Sequence, residues 1–310
     1  MPPNAAAVLV ARGLAPPYAP LPGEEALPAR PVPLLEALER SGDRSRRLWI
    51  TQAYWKLAAA ALRHRFAAEA EERLSLVAPG ASAEDLVHLE LSLEAARGRR
   101  SSAAADLVAA QQEVADLVRL PVTDAPAMAA DQPLTAAYQT HFETIFASRP
   151  ATGRVRAIHR QLPLEHRAIV ARARATFAAV ERFTSMETLN AQGKKPLGAV
   201  ITANEGIVTH QEAFVDALLD YNLAIAEYVM AVADLSVPDE RFAAMLIGQP
   251  LPWRPSAAPA DRVIPVSGLA PRGIPPAEPA GIQPPALFQS PAGFAPVQAP
   301  PPAASLAPGG

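Results

Sequence analysis

The chain contains the same pattern twice: a helical segment, a short turn with glycine, and a long helix whose apolar residues recur every three or four positions. The first turn spans Pro79–Ser82 and the second spans Gly193–Pro196. Matching positions of the two long helices lie 114 residues apart. An internal repeat constrains the fold strongly, because both copies are expected to form the same supersecondary unit. The repeat predicts two helical hairpins, each made of two antiparallel helices.

The apolar stripes of the long helices have a period near 3.5 residues, which is typical of coiled-coil packing. The stripes run from Leu86 to Leu117 and from Val200 to Ala231, and their many alanines allow close helix approach. Arg100 and His210 interrupt them, and we expect His210 to be a hydrogen-bonded packing residue. A helix over Ser82–Arg119 would be roughly 57 Å long at ~1.5 Å per residue. We therefore expect an all-α fold of two elongated antiparallel coiled-coil hairpins.

Proline and turn residues divide the chain into five segments. Residues 1–33 are rich in proline and alanine and are expected to be a flexible lead. The two hairpins occupy residues 34–119 and 164–235, and residues 120–163 are expected to form a linker with one short helix. Residues 236–310 hold 18 of the 34 prolines and few charges, so we expect a largely disordered tail.

Local signals refine these boundaries. Shorter helices are expected at Leu34–Arg40, at Thr135–Phe146 and at Pro238–Ile247. Asp43 or Ser45 is expected to cap the first long helix. Because proline is favoured in the first turn of a helix, Pro163 is expected to start the third long helix.

Composition excludes several classes of protein. The net charge of −3 predicts no attraction to nucleic acid. The chain has no cysteine, so disulfides and thiolate metal sites are excluded. No apolar run approaches the ~18 residues of a membrane helix, and the first twenty residues lack the basic region of an export signal.

Motifs of enzymes and metal sites are missing from the sequence. The six histidines show no i,i+4 pair and no HExxH. There is no GxSxG, no P-loop and no GxGxxG. We therefore expect no enzymatic activity, no cofactor and no bound metal. Two arginine clusters, one at positions 97, 99 and 100 and the other at positions 167, 172 and 174, favour interhelical salt bridges over nucleic-acid binding, since interleaved aromatics are missing.

Three sequence segments point to a known family. Thr51–Leu57 reads TQAYWKL, Ala104–Val114 reads AADLVAAQQEV, and Ala217–Tyr228 reads ALLDYNLAIAEY. In this order, within a duplicated arrangement over about Leu34–Leu235, they resemble the TolC-like outer-membrane efflux protein family. The third segment is similar to the end of that family's ascending helix.

The resemblance implies a passive role in a TolC-type efflux or type I secretion conduit, located in the outer membrane and periplasm. Helices of several protomers, a trimer in the family, would wall a periplasmic tunnel. The hairpin tips would dock a periplasmic adaptor protein that serves an inner-membrane pump. The β-hairpins with which the family enters the membrane are not visible in this sequence, so we expect them to be absent.

The resemblance also implies tip residues that dock the adaptor. They are Gly80 and Ser82 in the first copy, and Gly193, Lys194 and Lys195 in the second. Lys194 and Lys195 are two of the three lysines of the chain. The alternative is that the lysines offset the dipole of a helix C-terminus and that Gly193 is an ordinary C-cap.

Two carboxylates at matching repeat positions are further candidates. The resemblance implies that Asp106 and Asp220 line the tunnel or tie neighbouring helices together. The alternative is that both belong to solvated helix faces.

Other functions remain open at this point. The chain could be a soluble coiled-coil scaffold, or a truncated or degenerate relative without transport activity. An adaptor-like hairpin protein fits less well, because no β-rich flank is visible. The narrow alanine stripes do not complete a core within one chain, so we expect an isolated chain to be marginally stable and to self-associate. A stable monomer would instead favour the scaffold.

Overall fold

A computed structural model of the chain describes residues 2, 4–14, 29–77, 83–121, 125–233 and 235–250. Within these residues lie eight α-helices: α1 (Ala5–Leu14), α2 (Leu34–Ser41), α3 (Arg47–Ser75), α4 (Ala83–Val118), α5 (Phe142–Ile145), α6 (Gly153–Ala191), α7 (Leu197–Val232) and α8 (Asp239–Ala244). The same residues contain four short strands: β1 (Arg30–Val32), β2 (Ala127–Ala129), β3 (Asp131–Pro133) and β4 (Ile247–Pro250). The structure is therefore mostly helical, as the sequence predicts.

The long helices form two antiparallel pairs, α3 with α4 and α6 with α7, and α3 also packs along α7. Two ion pairs show the direction of α4 against α3: Lys56 bonds Glu113 at 3.0 Å, and Arg100 bonds Glu71 at 3.0 Å. The α3–α7 contact is likewise antiparallel. Arg63 lies 2.7 Å from an Asp216 oxygen, and Arg73, further along α3, lies 2.9 Å from Asn204, which comes earlier in α7. Each half of the repeat thus forms one helix pair.

Both helix pairs reverse direction at the same end. A separate apolar cluster there contains Leu74 and Val77 from the end of α3 and Leu89 from α4. The same cluster contains Phe183 from α6 and Leu197 from the first turn of α7. Gly80 and Ser82 fall between α3 and α4 and lie outside the described residues.

The apolar stripes are buried or half-buried as predicted over most of their length, with three exceptions. Four consecutive alanines of α3, residues 58–61, are all buried, which lets α7 and α4 approach closely. Leu86, His210 and Ala231 are exposed, so the prediction that His210 is a packing residue is wrong. A helix of 3.6 residues per turn drifts away from a 3.5-residue repeat. The buried side of α7 accordingly passes through Ile207 and Gln211 rather than His210.

The expectation of a flexible lead over residues 1–33 is wrong for residues 5–14 and 30–32. Helix α1 packs against both α3 and α6, and its Leu9 and Val10 are 2% and 0% exposed. The short apolar run from Ala5 to Val10 supplies this buried side. Strand β1 pairs in parallel with β2.

The predicted linker 120–163 is more ordered than expected, and its end is misplaced. It contains β2 and β3, and β3 pairs with β4 in antiparallel fashion. Helix α6 begins at Gly153, where the Thr152 side chain accepts a hydrogen bond from the Val155 N–H, and it continues through Pro163. An interior proline costs about 3 kcal/mol. Burial of Ile158 and Leu162 opposes that cost and keeps the first turns helical.

The short helices were predicted from the sequence with unequal accuracy. Helix α2 matches the expected Leu34–Arg40 segment, and Asp43 accepts a hydrogen bond from the Ser45 N–H just before α3. Only Phe142–Ile145 is α-helical within the expected Thr135–Phe146 segment. In the predicted tail, α8 and β4 are ordered, and residues 251–310 lie outside the described part of the chain.

Candidate functional site

The hairpin tip, residues Gly193–Pro196, is built on a helix C-cap that requires glycine. Gly193 has φ +69°, in the left-handed region that favours glycine. Its N–H donates to the Asn190 carbonyl at 2.8 Å, and the Lys194 N–H donates to the Leu189 carbonyl at 2.9 Å. These two bonds form a Schellman motif, which ends α6 sharply.

The same geometry turns the two tip lysines toward solvent. Lys194 and Lys195 are exposed, and the Asn190 side chain donates to the Lys195 carbonyl at 2.9 Å. Pro196 is the N-cap of α7. Two positive charges therefore stand together at the end where both helix pairs turn, and they also lie where cations offset the α6 dipole.

The Asp220-Tyr221-Asn222 segment holds the chain between the two hairpins. The Asn222 side chain accepts from the Leu134 N–H at 2.8 Å and donates to the Leu134 carbonyl at 3.1 Å. The Tyr221 hydroxyl accepts from the Tyr138 N–H at 2.8 Å and donates to the Ala136 carbonyl at 2.8 Å. Burial raises the pKa of Tyr221 to about 12, so the hydroxyl keeps its proton and remains a donor at neutral pH.

Tyr54 on α3 likewise binds the connecting segment, through its hydroxyl group. Its hydroxyl accepts from the N–H groups of Ala130 and Asp131 at 2.9 and 3.0 Å, and donates to the Asp131 carboxylate at 2.9 Å. The other bond of that carboxylate joins it to the Leu34 N–H at 2.7 Å. Two of the three segments that carry the resemblance, Thr51–Leu57 and Ala217–Tyr228, thus attach connecting segments to long helices.

Asp220 lies at an acidic groove between α6 and α7. The groove has a volume of about 420 Å³, and its charged lining residues are Glu165, Arg172, Glu212, Asp216 and Asp220. Partial burial, followed by the nearby charge of Asp220, raises the pKa of Glu165 above its usual value. Asp220 is exposed, as its alternative assignment to a solvated face requires.

Asp106 lies at a second cavity, between α3, α4 and α7, with a volume of about 180 Å³. The Asp106 side chain is exposed at its rim. Glu212 lines this cavity as well as the acidic groove, so the two predicted carboxylates border neighbouring openings along α7.

The first arginine cluster forms interhelical salt bridges, as predicted. Arg97 and Arg100 pair with Glu71 of α3 at 3.5 and 3.0 Å, and Arg99 pairs with Glu205 of α7 at 2.8 Å. In the second cluster, Arg167 donates within its own helix to the Pro163 carbonyl at 3.3 Å.

Sequence reasoning missed Gln211 and Glu165. Gln211 is buried although it is polar, and it lies between the buried residues Val208 and Phe214. Its spacing, four residues after the apolar Ile207 and three residues before the apolar Phe214, was the available signal. Glu165 carried no such signal, because only the packing of α6 against α7 brings it near Asp220.

Comparisons with protein-family models, with curated proteins and with solved structures give no significant match for this chain. Within the described ranges, no helix is long and apolar enough to cross a membrane. Over the same ranges, no group of three or more His, Asp or Glu side chains is placed to hold a metal ion.

Proposed function

We propose that this protein is a passive wall component of a TolC-type efflux or type I secretion conduit. The observation that carries the proposal is the common end of the two helix pairs, where the exposed Lys194 and Lys195 stand. A blunt helical end with two cations suits docking to an acidic surface of a periplasmic adaptor, which would in turn serve an inner-membrane pump. The conduit role involves no catalysis and no cofactor.

The outer side of α4 supports assembly of several copies into coiled-coil walls. Val87, Leu91 and Val108 are 56%, 66% and 63% exposed. At 100° per residue these positions fall within one third of the helix circumference. Gly98 and Ala105 lie on the same side, so a neighbouring helix could approach closely between the larger residues. A trimer, as in the family, would place such faces against one another.

Charge reversal at the tip tests adaptor docking. In the Lys194→Glu, Lys195→Glu variant we expect weaker adaptor binding and reduced export, with unchanged helicity by circular dichroism. Because exposed charges act mainly on association rate, the loss should be larger at low salt. The matched control reverses Arg156 and Arg160, two exposed residues near the opposite end of α6. If both variants bind the adaptor like the parent protein, the lysines are ordinary helix-end charges and the docking proposal fails.

A soluble scaffold without a transport role is the second candidate. It is favoured by the core, because Trp55, Tyr221 and Phe214 are fully buried within a single chain. Deleting the gene and measuring dye accumulation separates the two roles. The conduit proposal predicts increased retention of dye, whereas a scaffold predicts no change in retention.

A further inference from the structure

The cavity between α3, α4 and α7 has the features of a ligand site. Its volume is about 180 Å³. A dry cavity of ~150 Å³ holds a benzene molecule, so a small ring with one substituent fits. The inner wall is apolar and buried, and is formed by Phe66, Ala103, Val208 and Val215.

One polar group in this wall lacks a hydrogen bond. Gln211 lines the cavity and is 2% exposed, and its Oε1 accepts no hydrogen bond from any described residue. A buried carbonyl oxygen without a donor is unfavourable. A ligand that carries an N–H group would supply the missing donor.

The charges around the opening favour a cation. Arg63 is paired with Asp216 at 2.7 Å, and Arg99 is paired with Glu205 at 2.8 Å. These pairs neutralise both arginines of the lining. The lining itself holds these two arginines and two carboxylates, Asp106 and Glu212. Because both arginines are already paired with carboxylates outside the lining, Asp106 and Glu212 remain to attract a cation.

We propose that this cavity binds a small organic cation: an ammonium group that donates to Gln211, attached to an apolar ring or branched chain that packs against Phe66. The carboxylates of Asp106 and Glu212 stabilise the positive charge at the opening. The site is complete within one chain, so it depends neither on assembly nor on the conduit role.

Isothermal titration of the full chain with four probes of similar size tests the proposal. Benzylammonium should bind most tightly, benzyl alcohol more weakly, and toluene and phenylacetate weakest. This order follows because only the first probe combines a donor, a positive charge and an apolar ring. Equal affinity for all four probes, or no saturable binding of benzylammonium, would overturn the proposal.

Variants locate the binding in this cavity. Gln211→Leu should lower benzylammonium affinity about tenfold, the usual size of a lost charge-assisted hydrogen bond. Asp106→Asn should lower it by a smaller factor, and Glu90→Gln, an exposed carboxylate elsewhere on α4, should leave it unchanged.

A further variant covers the case in which Gln211→Leu fails to fold. Ser102 lies exposed at the opening, so Ser102→Phe should block binding while the melting temperature stays unchanged. Parental affinity in a folded Ser102→Phe protein would place the ligand elsewhere and refute the site.

Discussion

At the scale of single residues, buried polar side chains set how the helices meet. Glu69 of α3 is 5% exposed and lies within salt-bridge distance of Arg12, Arg65 and Arg73 at 2.8, 3.3 and 3.8 Å. Arg73 also donates to Asn204 of α7 at 2.9 Å. One carboxylate thus links α1, α3 and α7, and a buried charge of this kind is tolerated because it is paired.

Glu165 provides a prediction at the same scale, because partial burial and the nearby Asp220 disfavour its charged form. Its pKa is raised in the folded state from a reference of 4.5, first by burial and then by Asp220. The folded state therefore holds this proton more tightly than the unfolded state. It follows that the contribution of Glu165 to stability is greatest below pH 4.5 and is lost as pH rises through the folded-state pKa.

We expect Glu165→Gln to be more stable than the parent at pH 7.5, with the difference shrinking as pH is lowered toward 4. Urea unfolding at several pH values measures it. Glu181→Gln, an exposed residue on the same helix, should show no such dependence. If Glu165→Gln is no more stable than the parent at pH 7.5, the charged Glu165 carboxylate does not destabilise the folded state.

At the scale of elements, the seating of α1 depends on one glycine. A Cβ atom at Gly13 would lie 2.4 Å from Leu62 Cδ2 and 3.3 Å from the Phe66 ring. Both neighbours are buried in the core, so neither can move freely. Helix α1 therefore approaches α3 so closely at this position that there is no room for a side chain.

Gly13→Ala should therefore lower the free energy of unfolding by about 1–3 kcal/mol, the usual cost of overpacking. Gly98 of α4 has nothing within 4 Å of its Cβ position, so Gly98→Ala should instead raise stability by about 0.5–1 kcal/mol. Urea denaturation of the two variants compares them directly. A stabilising Gly13→Ala would mean that α1 is not seated as described.

At the scale of the whole molecule, the helices and connecting segments complete a core within the chain. The main cluster joins α1, α2 and α8 to the long helices. A single chain therefore needs partner copies less than the alanine stripes alone predict, because α1, α2 and α8 cover part of its core. Any self-association should depend on the exposed apolar residues of α4 rather than on unfilled core positions.

We accordingly expect Val87→Glu with Leu91→Glu to reduce self-association in sedimentation velocity without lowering the melting temperature. Leu164→Glu is the control, because Leu164 is 57% exposed on α6 and lies outside the α4 face. Unchanged association of the Val87, Leu91 variant would remove α4 from the interface.

The sequence by itself determined the four long helices, their antiparallel pairing and the glycine turn at Gly193. Periodicity and helix caps are local signals, and they repeat along the chain. The same signals misjudged Ala5–Leu14, because a short apolar run becomes a helix only when α3 and α6 offer a surface on which to bury it.

Only the tertiary structure decided the connecting strands, the start of α6 at Gly153 and the cavities along α7. Strands of three or four residues carry too few positions for a pattern, and they form here because partners distant in sequence pair with them. Asp106 and Asp220 could be selected from the repeat. Their neighbours Gln211 and Glu165 could not, because the environment of those residues arises from helix packing.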